Sequence, residues 1–303
     1  MATRRDRPRG GPRRGRSRKA REARPRRESR PPEQSPRRPP SGGTGPRVLW
    51  ALPAAVYANV IVAMGGPWFA LGILPLGIVA LHELYELMRR ARPIDLAGYL
   101  GVAALLGAAY LGGRDALPPA LALSLPMVFV LAAARRRRVD VAWGVAATIF
   151  GIVWIGLALG HAVLLREIPH GGALLTAVLI GTFLGDAGAY FGGRAWGRRP
   201  LAPAISPQKT VEGLLSGIVV GTLVLWAFLV GWHDFIPGTD ALLLGVCVAL
   251  AAPMGDLFES MVKRDLEAKD TGRFFGPHGG VLDRLDAVFF TVIVGYYASL
   301  AIL

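Results

Sequence analysis

Nine runs of mostly apolar residues, each near the length of a membrane-crossing helix, occupy the chain from Val48 to its end. They fall at about 48–66, 67–88, 97–112, 116–134, 141–165, 172–193, 212–232, 240–258 and 285–303. A spanning helix needs about 20 such residues, because the bilayer core offers no water to unpaired backbone groups. The third run is short and Gly-rich, and the fourth holds Pro118, Pro119 and Pro126, so the pattern leaves both open to kinks or to a re-entrant course. With 52% hydrophobic and 18% charged residues and a mean hydropathy of +0.39, the 303-residue chain is excluded from the soluble globular enzymes. The predicted class is an all-α polytopic membrane protein of about nine transmembrane helices.

The net charge of +14 changes that picture only at one end. Residues 1–47 hold seventeen Lys and Arg against four acids, whereas residues 48–303 are nearly neutral, with eighteen basic and seventeen acidic groups. The first segment is Arg, Pro, Gly and Ser, with too little apolar surface to offset the entropy of ordering it, and is expected to be a disordered tail. It lacks the apolar core and cleavage site of a signal peptide. Basic residues near an anionic lipid surface gain roughly 1 kcal/mol each. The tail therefore suits a cytoplasmic topogenic role, and no nucleic-acid partner is expected. Placing it in the cytoplasm and alternating nine spans puts sixteen of the eighteen later Lys and Arg on the same side, with only Arg114 and Arg166 opposite. That is the asymmetry expected of a multi-pass plasma-membrane protein whose N-terminus and basic loops are cytoplasmic. Three regions follow: the tail at 1–47, N-terminal transmembrane helices at 48–170, and a C-terminal catalytic region at 171–303. Cys247 is the single cysteine, which excludes an intramolecular disulfide and a thiolate cluster. Gly181, Gly185, Gly213, Gly217 and Gly221 recur at four-residue spacing and predict close helix packing, with a homodimer as one use of those faces. Gly192 and Gly193 end an apolar run before charge and predict a helix terminus. No repeat of 20–50 residues is visible, which weakens a repeat-based transporter.

The chemistry is carried by acids that a membrane would otherwise exclude. Asp186 sits within an apolar span (GTFLGDAGAYFGG), Asp256 closes another (ALAAPMGDLFES), and Asp283 and Asp286 open the last (HGGVLDRLDAVFF). Such carboxylates cost several kcal/mol unless paired, interfacial or bound to a cation. Asp283 and Asp286, three apart, share a face at a helix N-terminus. A hard divalent cation resolves their repulsion, and Mg²⁺ takes one or two carboxylates with water and phosphate oxygens. Asp256 is expected to converge on the same site. His278 is a turn residue, a phosphate contact or a proton carrier. His82, Glu83 and Glu86, at the end of the second span, are expected to snorkel to water. Around the acids lie Lys263, Arg264, Lys269, Arg273 and Arg284, with Gly272, Gly276, Gly279 and Gly280 between them. Acids for a metal, bases for phosphates and glycines for a close backbone approach describe a nucleotide-phosphate site. The loop RAWGRRPLAPAISPQKTVEG adds Ser206 and Lys209 on the same side. No GxxxxGK[ST] is present, so a P-loop is excluded.

The run from Ser260 through Lys263, Arg264, Lys269, Asp270, His278, Gly279 and Gly280 to Asp283 and Asp286 resembles the C-terminal signature of the phosphatidate cytidylyltransferases, or CDP-diacylglycerol synthases. The stretches Asp186–Arg194 and Ile205–Gly213 resemble family elements in the same order, so the likeness covers roughly residues 175–290. Three positions depart from the family pattern: Gln208 stands where a second lysine is common, Gly276-Pro277 where Pro-Gly is usual, and Ala287 where Ser is common. The resemblance implies a Mg²⁺-dependent membrane enzyme that condenses CTP with phosphatidic acid to give CDP-diacylglycerol and pyrophosphate. It carries the metal ligands over to Asp256, Asp283 and Asp286, leaving open a second cation.

On this reading Lys209, Lys263, Arg264 and Lys269 neutralise charge developing on pyrophosphate, and Asp186, Ser206, Gly279 and Gly280 contact substrate. Asp270 and Arg284 orient the constellation. The phosphate monoester of the lipid is already anionic, so alignment and electrostatics suffice without a strong base. Two other classes stay open: a CTP-dependent lipid-alcohol kinase, which product identity would separate, and a secondary transporter, which would place its acids near the bilayer midplane.

Overall fold

A computed structural model describes residues 44–303 apart from 136–138, 233, 269 and 273–278. The basic tail therefore lies, up to residue 43, outside the described residues, as do Lys269, Arg273 and His278.

The described chain is a helical bundle in the order expected from the apolar runs. Its helices are α1 (Thr44–Met64), α2 (Gly66–Leu87), α3 (Asp95–Gly112), α4 (Leu117–Ala133), α5 (Val141–Gly151), α6 (Leu157–Glu167), α7 (Gly171–Trp196), α8 (Val211–Trp232), α9 (Gly238–Asp265) and α10 (Leu282–Ile302). A single π-helical turn at Ile152–Gly156 joins α5 to α6 into one rod of 27 residues. Among the described residues eight rods are long and apolar enough to cross a membrane, and α1 adds the shorter apolar stretch Ala55–Met64. The protein is a multi-pass membrane protein. The two doubtful runs both form regular helices, the fourth because Pro118 and Pro119 fall in its first turn, where the missing amide has no intrahelical partner to lose.

The rod Val141–Glu167 is the axis of the bundle, since 78% of its apolar window is buried against 22–44% for the other spans. Trp154, in its π turn, packs edge-on against Phe258 of α9 and Phe289 of α10, with ring centroids 4.8 and 6.4 Å away. Several buried hydroxyls find partners within the protein. Tyr85 donates to the Thr148 carbonyl at 2.8 Å, and Thr182 on α7 bonds Thr291 on α10 at 3.1 Å. Large apolar side chains such as Leu111, Trp143 and Trp232 point outward, where lipid replaces water as their neighbour.

The glycines act within the chain. A Cβ on Gly221 would lie 2.9 Å from the Gly181 carbonyl oxygen, and one on Gly217 would lie 2.8 Å from the Ala189 Cβ, so α7 and α8 meet backbone to backbone. The faces on which a homodimer was expected are thus largely occupied by the chain itself. On α9, Gly255 plays the same part toward α10, with a Cβ there 2.9 Å from the Ala287 Cα.

The connection between α7 and α8, expected as a plain basic loop, contains a small antiparallel hairpin, β1 (Pro200–Ala202) with β2 (Ser206–Thr210). Its base is pinned by Glu212, whose Oε2 accepts the Arg198 and Arg199 amides at 3.0 and 3.1 Å. The Arg264 Nε donates to the Ile205 carbonyl at 3.2 Å and ties the hairpin tip to α9.

Candidate active site

One end of the bundle gathers the C-terminal ends of α7 and α9, the N-terminal ends of α8 and α10, and the hairpin. A cavity of about 630 Å³ opens there, within the size range of small-molecule sites. Its lining holds Asp186 of α7, Ser206 and Lys209 of β2, Asp256, Glu259 and Lys263 of α9, and Asp283 and Asp286 of α10. The same lining includes the glycines of α7 and α8 together with Ala249, Ala252 and Pro253 of α9. Pro253 has no amide for the Ala249 carbonyl, which leaves a backbone acceptor on the cavity side of α9.

The acids fall into two groups with different surroundings. Asp186, Asp256 and Asp286 line the same cavity. Lys209 forms an ion pair with Asp256. Asp286 Oδ1 accepts the Ala287 amide at 2.8 Å. Asp283, which lines the same cavity, is bonded by its neighbours. Its Oδ1 receives Lys263 Nζ at 2.8 Å, and its Oδ2 accepts the Gly280 and Thr271 amides at 2.8 and 3.1 Å.

Lys263 bridges Asp283 and Glu259, the latter at 2.6 Å. Glu259 is the residue that sequence reasoning overlooked, although it stands three after Asp256 and four before Lys263 on the same helical face. It is 1% exposed, and its Oε1 has no hydrogen-bond partner. Glu83 corrects the snorkelling expectation. It is 6% exposed and accepts the Leu282 amide at 2.9 Å, whereas Glu86 and His82 remain at the surface with Arg89 and Tyr99.

Of the remaining candidates, Gly279 takes a left-handed backbone at φ +86° and Gly280 presents its amide to Asp283. Arg264 serves the hairpin, as described above. Asp270 and Arg284 are exposed and do not line the cavity.

Among the described residues no three or more His, Cys, Asp or Glu are arranged to hold a metal ion. Oxygen donors facing one cavity without a ready-made cage fit a hard cation that takes one or two carboxylates and completes its shell with water and phosphate oxygens, as Mg²⁺ does.

A family model described as the Cytidylyltransferase family matches residues 45–302. A Bacillus subtilis protein named phosphatidate cytidylyltransferase is 30% identical over 261 residues, covering 83% of this chain and 96% of its own. Proteins of the same name from Mycobacterium bovis and Aquifex aeolicus are 39% and 36% identical over 147 and 150 residues. Each of those matches takes in 48% of this chain, and it spans about half the length of the relative, 47% and 54% respectively. The Bacillus match runs along nearly all of its relative, and the family model takes in every described helix. The chain belongs to the cytidylyltransferase family.

Proposed function

We propose that this protein transfers the cytidylyl group of CTP to phosphatidic acid, giving CDP-diacylglycerol and pyrophosphate, in a Mg²⁺-dependent reaction at the cytoplasmic face of the plasma membrane. The observation that carries the reading is the mixed lining of the cavity. Its carboxylates and lysines suit a polyphosphate with its counter-cation, and its glycines, alanines and Pro253 offer apolar surface to a lipid. The printed name shared by the Bacillus, Mycobacterium and Aquifex relatives supports the same pair of substrates.

Asp256 and Asp286 would hold the cation, with Asp186 beside them in the cavity lining. When bound, a divalent cation supplies charge neutralisation on the phosphates. Lys209 exchanges its Asp256 partner for phosphate oxygens as the nucleotide enters. An oxygen of the lipid phosphate attacks the α-phosphorus while the bond from that phosphorus to the bridging β-oxygen breaks, and the electron pair leaves with pyrophosphate. Lys263, locked between Glu259 and Asp283, holds α9 and α10 in register so that these groups face one another. Asp283 organises the loop before α10, a supporting role consistent with its engaged oxygens.

The test is incubation of membranes carrying the protein with labelled CTP, phosphatidic acid and Mg²⁺. Labelled CDP-diacylglycerol and pyrophosphate are expected in equal amounts, with none formed in EDTA. A labelled phosphorylated lipid alcohol in place of CDP-diacylglycerol, or no product from inserted protein, would defeat the proposal.

A further inference from the structure

Glu83 lies on α2, outside the four helices that build the cavity, and it does not line the cavity. It is nevertheless buried, and among the described residues no Lys or Arg forms an ion pair with it. A buried carboxylate without a counter-charge is costly, so its persistence calls for a compensating role.

Its surroundings supply one. Oε2 accepts the amide of Leu282, the first residue of α10, across 199 positions of sequence. The first amides of a helix have no intrahelical acceptor and carry the positive end of its dipole, so a carboxylate there acts as a cap delivered from another helix. Two glycines before α10 lie against the same side chain. A Cβ on either Gly272 or Gly280 would collide with the Glu83 carboxylate, and one on Gly280 would also lie 2.6 Å from Thr271 Oγ1. Thr271 and Gly280 are the residues whose amides bond Asp283 on the other side of the loop. The two carboxylates thus meet at Gly280, with Thr271 and Gly272 against one each, and Asp286 follows one turn after Asp283.

We propose that Glu83 is a positioning residue, a clamp through which α2 fixes the start of α10 and so the placement of Asp283 and Asp286 in the cavity. The inference rests on the cytidylyl-transfer reading for its kinetic consequence and on geometry alone for its structural one. Because Glu83 does not line the cavity, its loss should act on turnover and leave substrate affinity in place.

The experiment uses the full chain in lipid nanodiscs and compares wild type with Glu83→Ala, Glu83→Gln and Gly280→Ala. Two readouts are taken: hydrogen exchange in the peptide covering 279–285, and kcat with KM for each substrate. In Glu83→Ala, exchange there should quicken by about tenfold, the worth of one charge-assisted hydrogen bond. Exchange in α7 and α8 should be unaltered. Its kcat should fall by about a hundredfold, as expected of a small misplacement, with both KM values within about twofold. Glu83→Gln keeps an acceptor of the same shape and should retain protection and most of kcat. Gly280→Ala drives a methyl into the carboxylate and should reproduce Glu83→Ala. Wild-type exchange and kcat in Glu83→Ala, or Glu83→Gln as impaired as Glu83→Ala, would overturn the clamp. If Glu83→Ala does not accumulate, protection kept in Glu83→Gln and lost in Gly280→Ala sustains the proposal, and any other pattern overturns it. If wild type forms no CDP-diacylglycerol, the functional reading fails while the exchange comparison still decides the clamp.

Discussion

Replacing Lys263 by Met isolates the energetics of the site from its chemistry. The ammonium lies 2.6 Å from Glu259 Oε2 and 2.8 Å from Asp283 Oδ1, and the three side chains are only 15%, 2% and 13% exposed. At an effective dielectric constant near 20, each contact of this length is worth about 6 kcal/mol of attraction, most of it offset by taking the charges out of water. Met fills the volume of the Lys stem but leaves two buried carboxylates facing each other without the cation, a loss of about 3–5 kcal/mol. For a domain of this size each kcal/mol shifts the melting temperature by about 2–4 °C, so Lys263→Met should melt roughly 10 °C below wild type. The double variant Lys263→Met/Glu259→Gln removes one of the stranded charges and should regain about half of that loss. Melting followed by tryptophan fluorescence in a single detergent reads both. A Lys263→Met protein that melts within about 2 °C of wild type would refute the pairing, as would a double variant less stable than the single one.

Other substitutions separate stability from turnover. Asp286→Asn removes one of the carboxylates that line the cavity and keeps an acceptor for the Ala287 amide, so it should abolish product formation in the labelled-CTP assay while leaving the melting temperature within a few degrees of wild type. Gly221→Val forces a side chain against the Gly181 carbonyl and should destabilise the α7–α8 contact by about 1–3 kcal/mol, read as a lower melting temperature with or without substrates. Arg198→Ala should leave turnover within about twofold and stability unaltered, since the contact made there is through its backbone amide to Glu212 and its side chain is away from the cavity.

The spans were legible because lipid tolerates only long apolar runs with internally satisfied backbones, a requirement written residue by residue into the chain. The four aspartates stood out for the same reason, and all four line the cavity. Glu259 was hidden because it lies among the charges at the end of α9, where a membrane helix ordinarily meets water, and only packing against α10 distinguishes it from a snorkelling residue. Glu83 was hidden more deeply, since its partner is 199 residues away and no local pattern records a contact of that length. The π turn at Ile152–Gly156 and the hairpin at 200–210 were likewise out of reach. The first lies within an unbroken apolar run, and the second is held by a Glu212 contact that a basic, Pro-containing loop does not announce.

The division of labour along each helix explains why glycine and aspartate are neighbours twice in this region, at Gly185-Asp186 and at Gly255-Asp256. Successive residues of an α-helix point about 100° apart, so one side chain of such a pair can face a packed helix while the next faces an adjacent cavity. Gly185 packs toward the Gly217 carbonyl and Gly221, and Gly255 toward the backbone of Asp286 and Ala287. The following aspartate in each pair then projects into the space that the close approach encloses. Without the glycines the helices would stand further apart and the carboxylates would lose both their shared cavity and their mutual field. Close packing and charge convergence are therefore one requirement met by adjacent residues. Enlarging Gly255 to Ala should separate Asp256 from Asp286 and cost turnover before it costs the fold, an order that activity and melting measurements on the same sample would check.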